Sequence, residues 1–370
     1  MAADLTLDTR RPLALRGRAA RLAALLPVAA VVFLAPAHSY TYAHFSTYAA
    51  IFAIVGVSMN ILVGYTGQIS LGQQAFVGIG ALAAANIVRS GVTPAEPFSF
   101  GFGILMSAVV AGGAALVLGA IALRIRGLYL ALVTLVFGGV TADAVFTIPS
   151  LNGQEAGVSA IRPDALTGEY RFYLFALALV AICLYVDVWV RRSKVGRGLI
   201  ALRDNELAAQ AYGVNVTAYK LLGFVISGAM AGLAGGIFAF WTQEFSDKDF
   251  TSGAGFSLAL TFVAVVVIGG LGNRTGVVIA SAFFALISPS SNVLSTLANT
   301  THWGSFYFDH KFYISNVIGA VLLLQTIIFN PGGLGQVVAP FTRWFAGGRF
   351  TFHDPAGDHT GASLVSDVRA

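Results

Sequence analysis

The sequence has 370 residues, 56% of them apolar and 11% charged, with a mean hydropathy of +0.77 and a formal net charge of +5. A soluble domain carries about 25% charged residues, so this chain cannot clothe a water-facing surface of its size, and an ordinary globular enzyme is excluded. Its one cysteine, Cys183, excludes a disulfide framework and a cysteine-ligated metal site.

A hydrocarbon core about 30 Å thick requires roughly 20 apolar residues per crossing helix. On that measure the sequence predicts ten spans, at 22–40, 44–64, 71–88, 98–122, 127–148, 171–190, 221–242, 256–273, 276–298 and 312–330. An even number places both termini on one side. All the Lys and Arg residues except Arg89, Arg162, Arg171, Lys248 and Lys311 fall on that same side. Short cytoplasmic loops collect basic residues, so both termini are expected in the cytoplasm. The basic balance then reflects sidedness, and nucleic acid is not a partner.

The N-terminal segment 1–21 carries Arg10, Arg11, Arg16, Arg18 and Arg21, followed by an apolar stretch and Ala35-Pro36-Ala37. This looks like a cleavable signal peptide, but the basic region is long and another span follows at once, so an uncleaved first helix is expected. His38 and His44 flank the first outer turn, and His302 and His310 fall in a later outer segment; all four read as loop or interfacial residues.

At 60–80 the apolar run is broken by Gly64, Gly67 and Gly72, with Thr66, Gln68, Ser70, Gln73 and Gln74 between and after them. Two readings stand side by side. Irregular backbone at membrane depth lines wet cavities and transporter substrate sites; alternatively, this is a tight interfacial turn between two helices.

Two acids fall within spans. Asp143 is placed near the outer end of the fifth span, and Asp187 near the cytoplasmic end of the sixth, with Arg191 at i+4 as its expected partner. Neither sits mid-span beside a relay partner, as proton coupling would require.

The stretch 191–220 is the longest cytoplasmic loop between spans. Asp204 is predicted to cap a short helix over 205–212, Gly213 to end it in the left-handed conformation, and Thr217 to cap the seventh span. The short helix is rich in Ala208, Ala209 and Ala211 and is read as lacking the bulky apolar face of an interfacial helix, which favours docking into a protein groove.

Span seven carries Gly228, Gly232 and Gly236 at the four-residue spacing that lets helix backbones approach closely. The turn Gly269–Gly276 resembles a phosphate loop only superficially, since the Lys-Ser/Thr ending is missing. No ATPase, metalloprotease or serine-hydrolase signature occurs, so the chain is expected not to be an enzyme. The transmembrane domain is expected to span 22–335, and 336–370, with His353 and His359, is expected to be a disordered cytoplasmic tail that holds no metal.

Five stretches carry a resemblance to a known family. They are Glu206-Leu207-Ala208-Ala209-Gln210-Ala211-Tyr212-Gly213, Met59 to Gly80, Arg126 to Leu135, Gly269 to Gly276, and Asn330-Pro331-Gly332-Gly333-Leu334. In order and spacing they resemble the longer permease subunit of the high-affinity branched-chain amino-acid ABC importers. The coupling helix departs from the general E-A-A-x-x-x-G pattern, with Glu206 one place early, as that family does. The resemblance implies an all-α polytopic protein of type II importer architecture in the bacterial inner membrane, with its pathway completed by a second permease. It also implies two cytoplasmic ATPase subunits, which bind ATP and Mg, and a periplasmic solute-binding protein. Asp204, Glu206, Ala208, Ala209 and Gly213 then become coupling residues, and Tyr65, Thr66, Gln68, Ser70, Gln73 and Gln74 candidates for the translocation path. The substrate class implied is leucine, isoleucine or valine, with urea, short amides and aromatic acids carried by related permeases. The competing readings are a proton-coupled carrier using Asp143, and a channel with the 60–80 break as its filter.

Overall fold

A computed structural model describes residues 32–34, 36–88, 97–122, 125, 127–153, 157–246, 250, 252–288, 317–326, 328–329 and 332–338. The segment 1–21, most of the span at 22–40, His302, His310, His353 and His359 lie outside the described residues. Of the tail at 336–370, residues 336–338 are helical and the rest also lies outside them.

The described residues form helices almost throughout. In chain order these are α1 (Tyr40–Met59), which runs on as a π-helical turn Asn60–Tyr65, α2 (Gln73–Val88), α3 (Pro97–Ala122) and α4 (Leu128–Val140), which continues as a second π-helical turn Thr141–Val145. After the short α5 (Pro149–Asn152) and the strand β1 (Val158–Ser159) come α6 (Glu169–Arg192), α7 (Lys194–Asp204), α8 (Glu206–Ala211) and α9 (Val216–Thr242). The strand β2 (Glu244–Phe245), α10 (Ser252–Gly269), α11 (Arg274–Ile287) and α12 (Val317–Thr326) complete the chain.

Five helical stretches are long and apolar enough to cross a membrane: Tyr40–Tyr65, Phe98–Ala122, Leu128–Val145, Glu169–Arg192 and Val216–Thr242. The predicted spans at 71–88, 256–273, 276–298 and 312–330 correspond to shorter apolar helices. Burial separates the long ones. The Tyr40–Tyr65 stretch is apolar on every face and nearly all buried, as expected of a helix at the centre of a bundle. By contrast, α3 exposes Leu105, Val109, Leu116, Val117 and Ile121, and α4 exposes Leu128, Leu132, Val136 and Val140.

The centre is built on α9, which packs against α1, α2 and α3, while α1 packs on its other sides against α6 and α11. Small residues make that possible. A Cβ on Gly228 would strike Ala115, one on Gly232 would strike Ala111 and Ser107, and one on Gly236 would lie 2.5 Å from the Ser107 hydroxyl. The opposite edge of α9 is as tight, with Gly235 against the Val77 carbonyl and Gly80 of α2 against Gly232. The Gly228, Gly232 and Gly236 face therefore packs within the chain, on α3.

The far end of α9 is clamped. β1 and β2 pair antiparallel, Val158 opposite Phe245, and bring the loop before α6 against the C-terminus of α9. Arg162, buried in that loop, donates from Nε to the Phe240 carbonyl at 2.7 Å and from Nη2 to the Trp241 carbonyl at 3.0 Å. These are helix-end carbonyls with no intrahelical partner. Its Nη1 meets Glu169 at 2.7 Å, and its guanidinium lies 4.0 Å from the Phe172 ring centroid. His44 stacks on Trp241 at 4.3 Å and on Tyr40 at 5.6 Å, the middle ring of three. It is a packed residue near a helix start and not a loop residue.

Candidate functional site

The near end of the bundle, where α9 begins, gathers the stretches that stand out in the sequence. The chain leaves regular helix at Gly67 and regains it at Gln73, so the break is real, but it lies against the turns joining other helices. Leu71 donates its N–H to the Thr134 hydroxyl of α4 at 2.9 Å, and Gly72 packs on the Thr134 carbonyl. Gly64 lies against Gly272, whose N–H donates to Oδ1 of Asn60 at 2.8 Å. A Cβ on Gly333 would in turn strike Gly270, and one on Gly335 would strike Asn273. Arg203 of α7 donates to the Gly64 carbonyl at 2.6 Å. The segments around 60–72, 127–135, 191–213, 269–276 and 332–335 are thus one contiguous patch at one end of the bundle. The break is a turn packed at this end of the bundle, and both readings of it are compatible with that geometry.

The six polar residues of the break named from the sequence, Tyr65, Thr66, Gln68, Ser70, Gln73 and Gln74, are buried, none more than 5% exposed, while Gly67 between them is exposed. Several hydroxyls are already committed. Tyr65 donates to Oδ1 of Asp187 at 2.8 Å, Thr66 donates to the Leu62 carbonyl, and the Ser70 hydroxyl accepts from the Gly72 N–H at 3.3 Å. Gln73 donates from Nε2 to the Ser58 hydroxyl at 2.9 Å and to the Ser227 hydroxyl at 3.0 Å, tying α2 to α1 and α9. What remains uncommitted is amide: Oε1 of Gln73, Oε1 of Gln74 and both side-chain polar atoms of Gln68 have no partner among the described residues. A buried amide without a partner is costly, which makes these three the polar groups with capacity to spare for a passing solute or water.

The intramembrane acid Asp187 is fully buried, and its partner is Arg274 at 3.2 Å. Arg191, the partner expected from the i+4 spacing, instead lies 6.0 Å over the Tyr65 ring. Asp143 is exposed, in the π-helical turn that ends α4. No group of three or more metal-ligating side chains occurs among the described residues.

The 191–220 segment is ordered helix. Ser193 caps α7, accepting from the Gly196 N–H. The cap of α8 is Asn205, which accepts from the Ala208 N–H at 3.0 Å; Asp204, predicted in that role, is the last residue of α7 and is exposed. The helix ends at Gly213, whose φ of +80° is the left-handed conformation expected there. Asn215, not Thr217, caps α9, accepting from the Ala218 N–H at 3.1 Å. Glu206 pairs with Lys220 at 2.7 Å and Ala209 is buried, so one side of α8 is anchored to the bundle. The other side presents Leu207, 74% exposed, and Tyr212, 88% exposed, beside Ala208 and Gln210. The bulky apolar side chains that the sequence reading found missing are therefore present.

Arg203, Asn60 and Arg274 are marked by no motif. Asn60, the one carboxamide of the span at 44–64, was the signal available.

Comparison with known proteins completes the description. A family model described as branched-chain amino acid transport system / permease component matches residues 41–326. The chain is similar to the LivM permease protein of the high-affinity branched-chain amino acid transport system of Salmonella typhimurium, with 31% identity over 80% of this chain and 70% of that protein. It is likewise 30% identical to LivM of Escherichia coli, over the same shares. The autoinducer 2 import permease LsrC of Yersinia enterocolitica is 24% identical over 90% of this chain and 89% of its own. No solved structure matches the chain significantly.

Proposed function

The chain belongs to the branched-chain amino acid transport-system permease family, and from that premise we propose that it is one of two permease subunits of an ATP-driven importer. In this reading it crosses the bacterial inner membrane ten times, with both termini cytoplasmic. The solute is leucine, isoleucine or valine, as the names of the LivM relatives suggest. The relative named for autoinducer 2 makes another small solute the second reading. ATP and Mg belong to two ATPase partners, and solute is delivered by a periplasmic binding protein.

The observation that carries this reading is α8. A six-residue helix capped at both ends, anchored through Ala209 and the Glu206–Lys220 pair, offers Leu207, Ala208 and Tyr212 outward. Such a rigid apolar tip fits a groove on a partner. Of the residues proposed for coupling, Ala208 contacts the partner, Asp204 lies exposed beside it, and Glu206, Ala209 and Gly213 hold the tip in position. The break next to it acts as the inner gate, with Gln68, Gln73 and Gln74 facing the solute as it leaves.

Leucine uptake into proteoliposomes tests this, with the two permeases and ATPases in the membrane, ATP inside and loaded binding protein outside. Uptake that requires ATP, and that disappears with the ATPases dissociating in Leu207→Asp/Tyr212→Asp, is the expected result. Uptake by this chain alone under a pH gradient, lost in Asp143→Asn, would falsify it.

A further inference from the structure

Arg203 stands where two structural units meet. It lies in the last turn of α7, and Asn205, which ends α7, is also the residue that caps α8. The N–H of Asn205 bonds to Ala201 and its carbonyl accepts from Ala209, both at 3.0 Å, so helix hydrogen bonds run through the junction. A displacement of the α8 tip therefore carries Arg203 with it.

The side chain of Arg203 reaches across to the broken helix. Its Nη1 donates to the Gly64 carbonyl, and its stem lies over Gly67, where an added Cβ would sit 3.2 Å from Cγ. The carbonyls of Leu62 and Val63 accept from the N–H groups of Gln68 and Gly67. Gly64 is the next carbonyl along, at the negative end of the helix dipole, where a guanidinium is favoured. Two other tethers hold this end of the broken helix, Asn60 to Gly272 and Tyr65 to Asp187. Both lead into the bundle itself. Among the described residues, only the Arg203 tether comes from the segment that carries α8.

We infer that Arg203 is the positioning residue that transmits movement of the α8 tip to the break at Gly64–Gly72. It acts as a rod: the guanidinium holds a helix-end carbonyl, and the stem bears on a glycine that has no side chain to yield. This deepens the proposed function and rests on it.

The test uses the assembled importer in a Cys183→Ser background, with either Tyr212→Cys at the tip or Ile69→Cys in the break, both exposed positions. Maleimide labelling is compared with and without a non-hydrolysable ATP analogue. In the parent, nucleotide changes labelling at both positions. Arg203→Met keeps the stem over Gly67 and removes the donors, so the change at 212 persists and the change at 69 is lost. Uptake then falls about tenfold or more, the scale of a coupling free energy of this kind. Arg203→Lys, which keeps charge and one donor, restores part of the response at 69. A full response at 69 in Arg203→Met overturns the inference and leaves the importer reading standing. Uptake by the parent assembly that does not need ATP overturns both. Co-purification of the ATPases with each variant separates loss of transmission from loss of assembly.

Discussion

Arg274, the first residue of α11, places its Nε 3.2 Å from Oδ2 of Asp187 in α6, and the same carboxylate accepts the Tyr65 hydroxyl at 2.8 Å through Oδ1. Asp187 has no exposed surface, whereas the Arg274 side chain is 27% exposed. Three helices are joined at this carboxylate: α1 through its π-helical extension, α6 and α11.

Removing one member of a buried pair strands the other. Arg274→Gln is expected to destabilise the protein by about 3 kcal/mol, at the low end for such pairs because the guanidinium is partly wet. Asp187→Asn keeps an acceptor for Tyr65 and is expected to be milder, and the double variant should cost less than the sum. Arg191→Gln, the change suggested by sequence spacing, should cost under about 1 kcal/mol. Denaturant unfolding of the four variants in detergent provides the cycle. Equal losses for Arg191→Gln and Arg274→Gln would contradict the pairing.

The capping assignments make a second, more local prediction. Asn205→Ala removes the acceptor for the Ala208 N–H and should cost about 1 kcal/mol of helix stability, confined to α8. Hydrogen exchange at residues 206–212 should speed up in that variant. Asp204→Ala, at an exposed position outside the cap, should leave the exchange unchanged.

These cases also show how far the sequence could be read. Spans at 98–122 and 171–190 fall within one or two residues of α3 and α6, because twenty apolar residues in a row leave few alternatives. Caps are harder. Asp204 and Asn205 are both good N-cap residues, as are Asn215 and Thr217, and the choice depends on backbone dihedrals that composition does not determine. The Asp187 partner was misread for another reason. Arg191 is one helical turn away in sequence, whereas Arg274 is brought in only by the packing of α11 and α6 against α1. The break residues were identified as a group, yet which of their atoms stay free depends on Ser58, across the turn, and on Ser227 and Asp187, both distant in sequence.

The glycines of α9 and α3 divide cleanly by surroundings. Gly232→Val would drive a branched side chain into Ala111 and the Ser107 carbonyl of α3, and is expected to abolish a monodisperse folded peak in detergent. Gly113→Ala in α3 meets nothing within 4 Å and should be neutral or stabilising by up to about 1 kcal/mol through helix propensity. Size-exclusion profiles and apparent melting temperatures of the two variants check both halves.

At the opposite end of the bundle, Arg162 makes three hydrogen bonds from three different nitrogens, to Phe240, Trp241 and Glu169, while 1% exposed. A lysine carries the same charge but has no planar fork to span these acceptors. Arg162→Lys should therefore leave at least one helix-end carbonyl of α9 unsatisfied, at a cost of about 1–3 kcal/mol. Arg162→Met leaves both carbonyls unmet and the Glu169 carboxylate with His44, 3.7 Å away, as its remaining neighbour, and should cost more, about 3–5 kcal/mol. The second change to make is Glu169→Gln in the Arg162→Met background. It removes the stranded charge, so it should recover part of the loss if charge burial dominates, and none if the helix-end carbonyls dominate. Apparent melting temperatures of the three variants decide between these contributions, and an Arg162→Lys protein as stable as the parent would show that the fork geometry is not what holds the end of α9.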